Sequence, residues 1–178
     1  MFFNKYLLTG ILITSLTGCQ TILDDMNAMS GKSALSQPPS QTEIESARDL
    51  SSPIAISAIH AERNSANGIS VSITYKNIDK TRSVKYVTFK VVFKNKVNDI
   101  VKGEISGREY ALLESTGPFK PNDVNWGGLN EWSNIFYHAN ANGIEVVSID
   151  VEFMNGEKIN NINVQGIESG IGYISSKY

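Results

Sequence analysis

The sequence predicts an all-β domain, an antiparallel β-sandwich of about seven short strands, carried behind an N-terminal leader and a polar linker. Three observations predict it. Apolar and polar residues alternate at period two from residue 53 onward, Gly, Pro and Asn punctuate that pattern at short intervals, and no amphipathic helical repeat interrupts it. A chain of 178 residues, 41% of them hydrophobic, holds one packed domain plus tails. Sixteen basic and 18 acidic residues leave no strong global field, so nucleic acid is not an expected partner.

The chain begins MFFNKYLLTGILITSLTGC, with Lys5 ahead of an apolar run from Tyr6 to about Leu16 and small residues ending at Gly18. That is the charged, apolar and small-residue order of a secretory signal. The run is about a dozen residues, whereas a spanning helix needs roughly 20. Leu16, Thr17, Gly18 and Cys19 resemble the bacterial lipobox, in which the cysteine sulfur takes a diacylglycerol before cleavage. The resemblance implies a signal peptide over 1–18 and a membrane lipoprotein held by acyl chains on Cys19. A single acyl chain binds only marginally, with an association constant of about 10⁴ per molar, while two or three hold stably. Gln20 follows the cysteine, where Asp would be the inner-membrane retention signal, and this points to the outer membrane. Cys19 is the chain's one cysteine, which excludes an intramolecular disulfide and any zinc site of several thiolates.

Residues 19–52 form the acylated N-terminus and a flexible linker, rich in Ser and Gln around Pro38 and Pro39. As a coil, the 33 residues after Cys19 would span about 30 Å. A short helix over 42–50, capped by Thr42, is compatible with Glu43, Glu45 and Arg48.

The sandwich is expected over 53–165. Ile54 to Ala61 should pair with the strand Ile69, Val71, Ile73, Tyr75 through a turn at Asn67 and Gly68, leaving Ser70, Ser72 and Thr74 in water. A third strand runs from Val84 to Lys94, with Val87, Phe89, Val91 and Phe93 inward and Lys90 and Lys94 outward. Ile100 to Ile105 and Arg108 to Leu113 read as a fourth and fifth strand, before Gly117, Pro118 and Pro121 enforce a loop. Trp132 to Tyr137 and Ile144 to Phe153 follow, with a weak strand from Ile159 to Val164 and a flexible Gly-rich tail over 166–178. Short strands in this number point to the immunoglobulin or fibronectin type III kind of sandwich, with a closed barrel as the alternative. Trp126 and Trp132 are the bulky candidates for its core.

Asn77, the segment Val84 to Val87 with Phe89, Val91 and Phe93, and later Gly117, Pro118 and Pro121 resemble the FxLYD-type immunoglobulin-like domains of bacterial lipoproteins. The resemblance covers about 53–155 and implies a β-sandwich without transferable chemistry.

No catalytic residue, metal site or cofactor is expected. His60 and His138 lie in no metal-ligand motif, and no Gly-x-Ser-x-Gly elbow is present. Asp150 and Glu152, with Ser148 beside them, share a strand face that in principle could hold calcium or act as paired acids; a solvated face is the preferred reading. Gly170 and Gly172 lack the strand and helix that would make a phosphate loop. Charge is distributed unevenly: residues 76–108 carry six surplus positive charges, and 109–178 six surplus negative ones. Lys85, Lys90, Lys94 and Lys96 therefore form the candidate face for an anionic partner, whether lipopolysaccharide, peptidoglycan or another envelope protein. Lysines that merely guard a strand edge are the competing explanation. The expected function is a non-enzymatic binding or assembly module of the envelope. The alternatives are a periplasmic hydrolase using Asp150, Glu152 or His138, and a structural protein that binds peptidoglycan.

Overall fold

The computed structural model describes residues 37–128 and 131–176. Cys19, the signal segment and the first part of the linker lie outside the described residues. The Gln37 carbonyl accepts a hydrogen bond from Ser57 Oγ at 2.6 Å. Helix α1, Gln41–Asp49, follows. Its cap is Ser40 rather than Thr42: Ser40 Oγ accepts from the Glu43 amide and the Glu43 carboxylate accepts from the Ser40 amide, so two orphan donors are satisfied reciprocally. Ile44 and Ala47, three positions apart, share the buried face and pack on Ala55 and Ile78.

Among the described residues nine strands follow: β1 Ile54–Arg63, β2 Gly68–Asn77, β3 Val84–Lys94, β4 Tyr110–Phe119, β5 Val124–Asn125, β6 Trp132–Tyr137, β7 Gly143–Phe153, β8 Lys158–Asn163 and β9 Ile171–Ser176. They form one continuous mixed sheet, in the order β4-β3-β7-β9-β1-β2-β5, with β6 on β2 and β8 on β7. The result is a nearly closed, barrel-like sandwich. β1 and β2 make the expected hairpin, with Asn67 at a φ of 62°. β3 and β7 pair antiparallel along their lengths.

The sheet is not purely antiparallel, because β9 pairs antiparallel with β7 through residues 171–173 and parallel with β1 through residues 174–176. This one strand joins the two halves, so the expected flexible tail is a structural element. At the opposite seam, Trp132 Nε1 donates to the Glu114 carbonyl at 2.9 Å, linking β6 to β4.

Val87, Phe89, Val91 and Phe93 of β3 are all fully buried, as their alternation predicts. In β1 and β7 the inward residues change parity, from Ile56 to Ile59 and from Val146 to Ile149. A register shift at each place leaves Ser57 and Val147 unpaired, which restores the apolar face to the core. Phe93 stacks on Phe136 with ring centroids 4.0 Å apart, and Tyr75 meets Phe89 and Phe119 at 5.0 and 5.6 Å.

Four further expectations are corrected. Residues 100–105 form no strand, since Ile100 makes a single bridge to Lys94 and the chain then turns, leaving Ile105 exposed. Gly117 and Pro118 lie inside β4, where the backbone crowds so closely that a Cβ on Gly117 would sit 2.4 Å from the Val84 carbonyl oxygen. Ser72 and Thr74 are buried instead of solvated, because the segment 126–128 lies against β2 and they donate to the Gly128 and Trp126 carbonyls. Trp126 is 52% exposed, so of the two tryptophans only Trp132 packs on the core.

Candidate functional site

Three of the four lysines predicted to form a basic face, those on β3, find their partners at home. Lys85 pairs with Glu152 at 2.9 Å, and Lys158 reaches the other oxygen of the same carboxylate at 2.8 Å. Lys94 pairs with Glu145, whose side chain is only 5% exposed and whose second oxygen accepts from the Gly166 amide. Lys90 sits 4.7 Å from the Tyr110 ring centroid, a cation–π contact. Lys96 is exposed on the turn after β3. Register explains the pairing: β3 lies beside β7, so the positive stretch of the chain is zipped to part of its negative stretch. The opposed surpluses in the sequence are in part an intramolecular complement.

The other candidates are likewise drawn into local contacts. Asp150 Oδ1 accepts from the Asn161 amide, and Glu152 is spent on its two lysines. His138 Nδ1 accepts from the Asn140 amide, and His60 is half-buried on β1 opposite Ser72. Among the described residues, no group of three or more His, Cys, Asp or Glu side chains gathers where a metal could bind.

Two arrangements emerge that depend on the fold. The first is a half-buried polar cluster at the seam where β4 approaches β5 and β6. Ser115 Oγ donates to Glu131 Oε1 at 3.1 Å, and Asn125 Nδ2 donates to the Tyr75 hydroxyl at 3.0 Å. Burial pushes the Tyr75 hydroxyl up to about 12, against the lowering effect of Ser115 and Asn125. Burial also raises the Glu131 carboxyl, whose Oε2 is enclosed and meets no partner among the described residues. The space around these groups is filled by Phe89, Phe119 and Trp132, so the cluster reads as a packed polar joint.

The second arrangement is a pair of adjoining clefts beside α1. One, of about 420 Å³, runs along the helix and is lined by Gln41, Arg48, Lys76, Lys80 and Asn122. The other, of about 630 Å³, lies past the helix C-terminus and includes Pro53, Ile78 and Ile159. Arg48, Ile78, Asp79 and Lys80 line both. Asp79 adds little negative field. Arg82 binds its carboxylate in a fork at 2.6 and 2.9 Å, and the Thr81 and Arg82 amides donate to the other oxygen. Burial by itself would raise that carboxyl, but these donors hold it at about 2. Arg82 also pairs with Glu157 at 2.7 Å and lies 3.9 Å from the Phe153 ring centroid, which keeps it in place.

Arg48, Lys76 and Lys80 belong to α1, the end of β2 and the loop after it. Sequence reasoning passed over them as a group, since only the docking of α1 brings them to one cleft. The Ser40 to Glu43 capping box with Ile44 and Ala47 on one face was the signal that α1 would dock. No family model, curated protein or solved structure matches this chain.

Proposed function

We propose that this chain is a bacterial lipoprotein, acylated on Cys19 after removal of residues 1–18, whose β-domain serves as a non-enzymatic binding module of the cell envelope. The observation that carries the reading is the position of the lone cysteine. Cys19 ends a leader-shaped apolar run behind Leu16, Thr17 and Gly18, well ahead of Gln37, where the described domain begins. A thiol there is the nucleophile that an acyltransferase requires. Gln20 directs the anchored protein toward the outer membrane, and the polar stretch that follows gives the domain reach. Kinship with immunoglobulin-like FxLYD domains belongs to the same proposal and is supported by the inward aromatic face of β3.

Mass spectrometry of the mature N-terminus is expected to find diacylglycerol and an amide-linked acyl chain on Cys19. Cys19→Ser is expected to move the protein from the membrane to the soluble fraction. An unmodified Cys19, or a Cys19→Ser protein still cut and still on the membrane, would refute the anchor.

A further inference from the structure

We infer that the two clefts beside α1 form one binding site for an amphiphile with a phosphate head. This deepens the binding-module reading and rests on it, but it does not depend on acylation of Cys19.

Charge decides where the head goes. The cations on β3 are committed to Glu152, Glu145 and the Tyr110 ring, whereas Arg48, Lys76 and Lys80 form none of the ion pairs found among the described residues. All three line the 420 Å³ cleft, and the one carboxylate there, Asp79, is neutralised by Arg82. Three cations gathered on one cleft without a free carboxylate among its lining favour an anion there. Arg48 offers the planar fork that matches phosphate oxygens, while Lys76 and Lys80 are point charges beside it. Gln41 and Asn122 complete the rim with neutral amides.

The helix polarises the two clefts differently. The larger cleft meets the C-terminal end of α1 at Ser51 and Ser52, the negative end of the helix dipole. The phosphate is therefore seated along the side of α1, and the larger cleft is left to the uncharged part of the ligand. Pro53, Ile78 and Ile159 give it an apolar strip beside the Arg48 and Lys80 that it shares with the smaller cleft, which suits a short aliphatic chain running on from the head. At about 630 Å³ and 420 Å³ the clefts are of ordinary ligand size.

The test uses the full chain held in maltoside detergent micelles, which carry no phosphate, and isothermal titration. Two probes separate the sources of phosphate: sn-glycerol 3-phosphate, which is a head alone, and dihexanoyl phosphatidylglycerol, which adds tails. Both should bind, and the lipid at least tenfold more tightly. The triple change Arg48→Ala, Lys76→Ala, Lys80→Ala should weaken both by at least tenfold, while Lys90→Ala with Lys96→Ala should leave both unchanged. Arg48 and Lys80 are exposed and Lys76 is half-exposed, so the triple variant should keep its thermal midpoint, which is measured alongside. Equal binding by parent and triple variant overturns the site. Failure of both probes to bind overturns it too, and equal affinity for the two probes overturns the amphiphile. Loss of acylation at Cys19 with phosphate binding intact would refute the anchor alone.

Discussion

Asn77 is the side chain whose removal should tell most about how this domain holds together. It is fully buried at the end of β2. Its Nδ2 donates to the Arg82 and Phe119 carbonyls, each at 3.0 Å, and its Oδ1 accepts from the Asp79 amide at 3.0 Å. One amide therefore ties together β2, the loop that carries Lys80, and the end of β4. Asn77→Ala removes three hydrogen bonds and leaves two carbonyls and one amide without their partner. At about 1 kcal/mol for each bond, and somewhat more for groups that water cannot reach, the loss is about 3–4 kcal/mol. In a domain of this size that corresponds to a drop of roughly 6–16 °C in the melting midpoint. Asn77→Asp provides the contrast. The acid keeps the Asp79 contact but turns a carboxylate against two carbonyls, so at pH 7 it should be less stable than the alanine variant. Protonation restores one donor, and the aspartate variant should gain on the alanine variant as pH falls. Urea unfolding followed by circular dichroism at pH 7 and pH 4 measures all of this. A loss below about 1 kcal/mol for Asn77→Ala, or an aspartate variant the more stable at pH 7, would refute the reasoning.

Three further outcomes are expected. Lys94→Ala strands the buried Glu145 carboxylate and should cost about 3 kcal/mol, with much of the loss recovered by adding Glu145→Gln; chemical denaturation of the two variants checks this, and no recovery would mean that Lys94 acts by packing its stem. Asp79→Asn should cost about 1–2 kcal/mol at pH 7, judged from a carboxyl held at about 2 with a side chain 12% exposed. Because the folded state lowers this carboxyl, its contribution is present above the ordinary value of 3.8 and is lost as pH falls toward about 2, so the gap between parent and variant should close across that window. Glu131 has the opposite sign: burial raises it, so ionisation costs the folded state, and Glu131→Gln should be more stable than the parent at pH 7, with the advantage shrinking as acid protonates the parent. Paired melting curves over pH test both carboxyl predictions.

The strands whose side chains face one way were legible in the sequence, because alternation is the pleat written in residues. β2, β3 and β7 were found for that reason, and the spacing of Ile54, Ile56, Ile59 and Ala61 even carries the bulge at Ser57. Elements held by backbone proximity were not legible. Gly172 looked like flexibility, yet a Cβ there would sit 2.9 Å from the Ile59 carbonyl oxygen, so glycine is what lets β9 slip between β1 and β7. Ile100 and Ile105 failed in the other direction: they are apolar but 50% and 75% exposed, since no strand is left to pair with that stretch beyond one bridge. The same division separates the two basic groups. A run of lysines on one strand can be counted from sequence, but its worth depends on the strand that lies beside it, and here β7 brings Glu145 and Glu152 to answer Lys94 and Lys85. Arg48, Lys76 and Lys80 are scattered along the chain, and the strands beside Lys76 set Ala55 and Val124 opposite it in place of an acid. They converge because a capped helix buries Ile44 and Ala47 against Ala55 and Ile78, and that docking leaves their charge unanswered in a cleft. On this surface, unbalanced charge therefore gathers where a helix meets the end of β2 and the loop after it, where no cross-strand acid answers it.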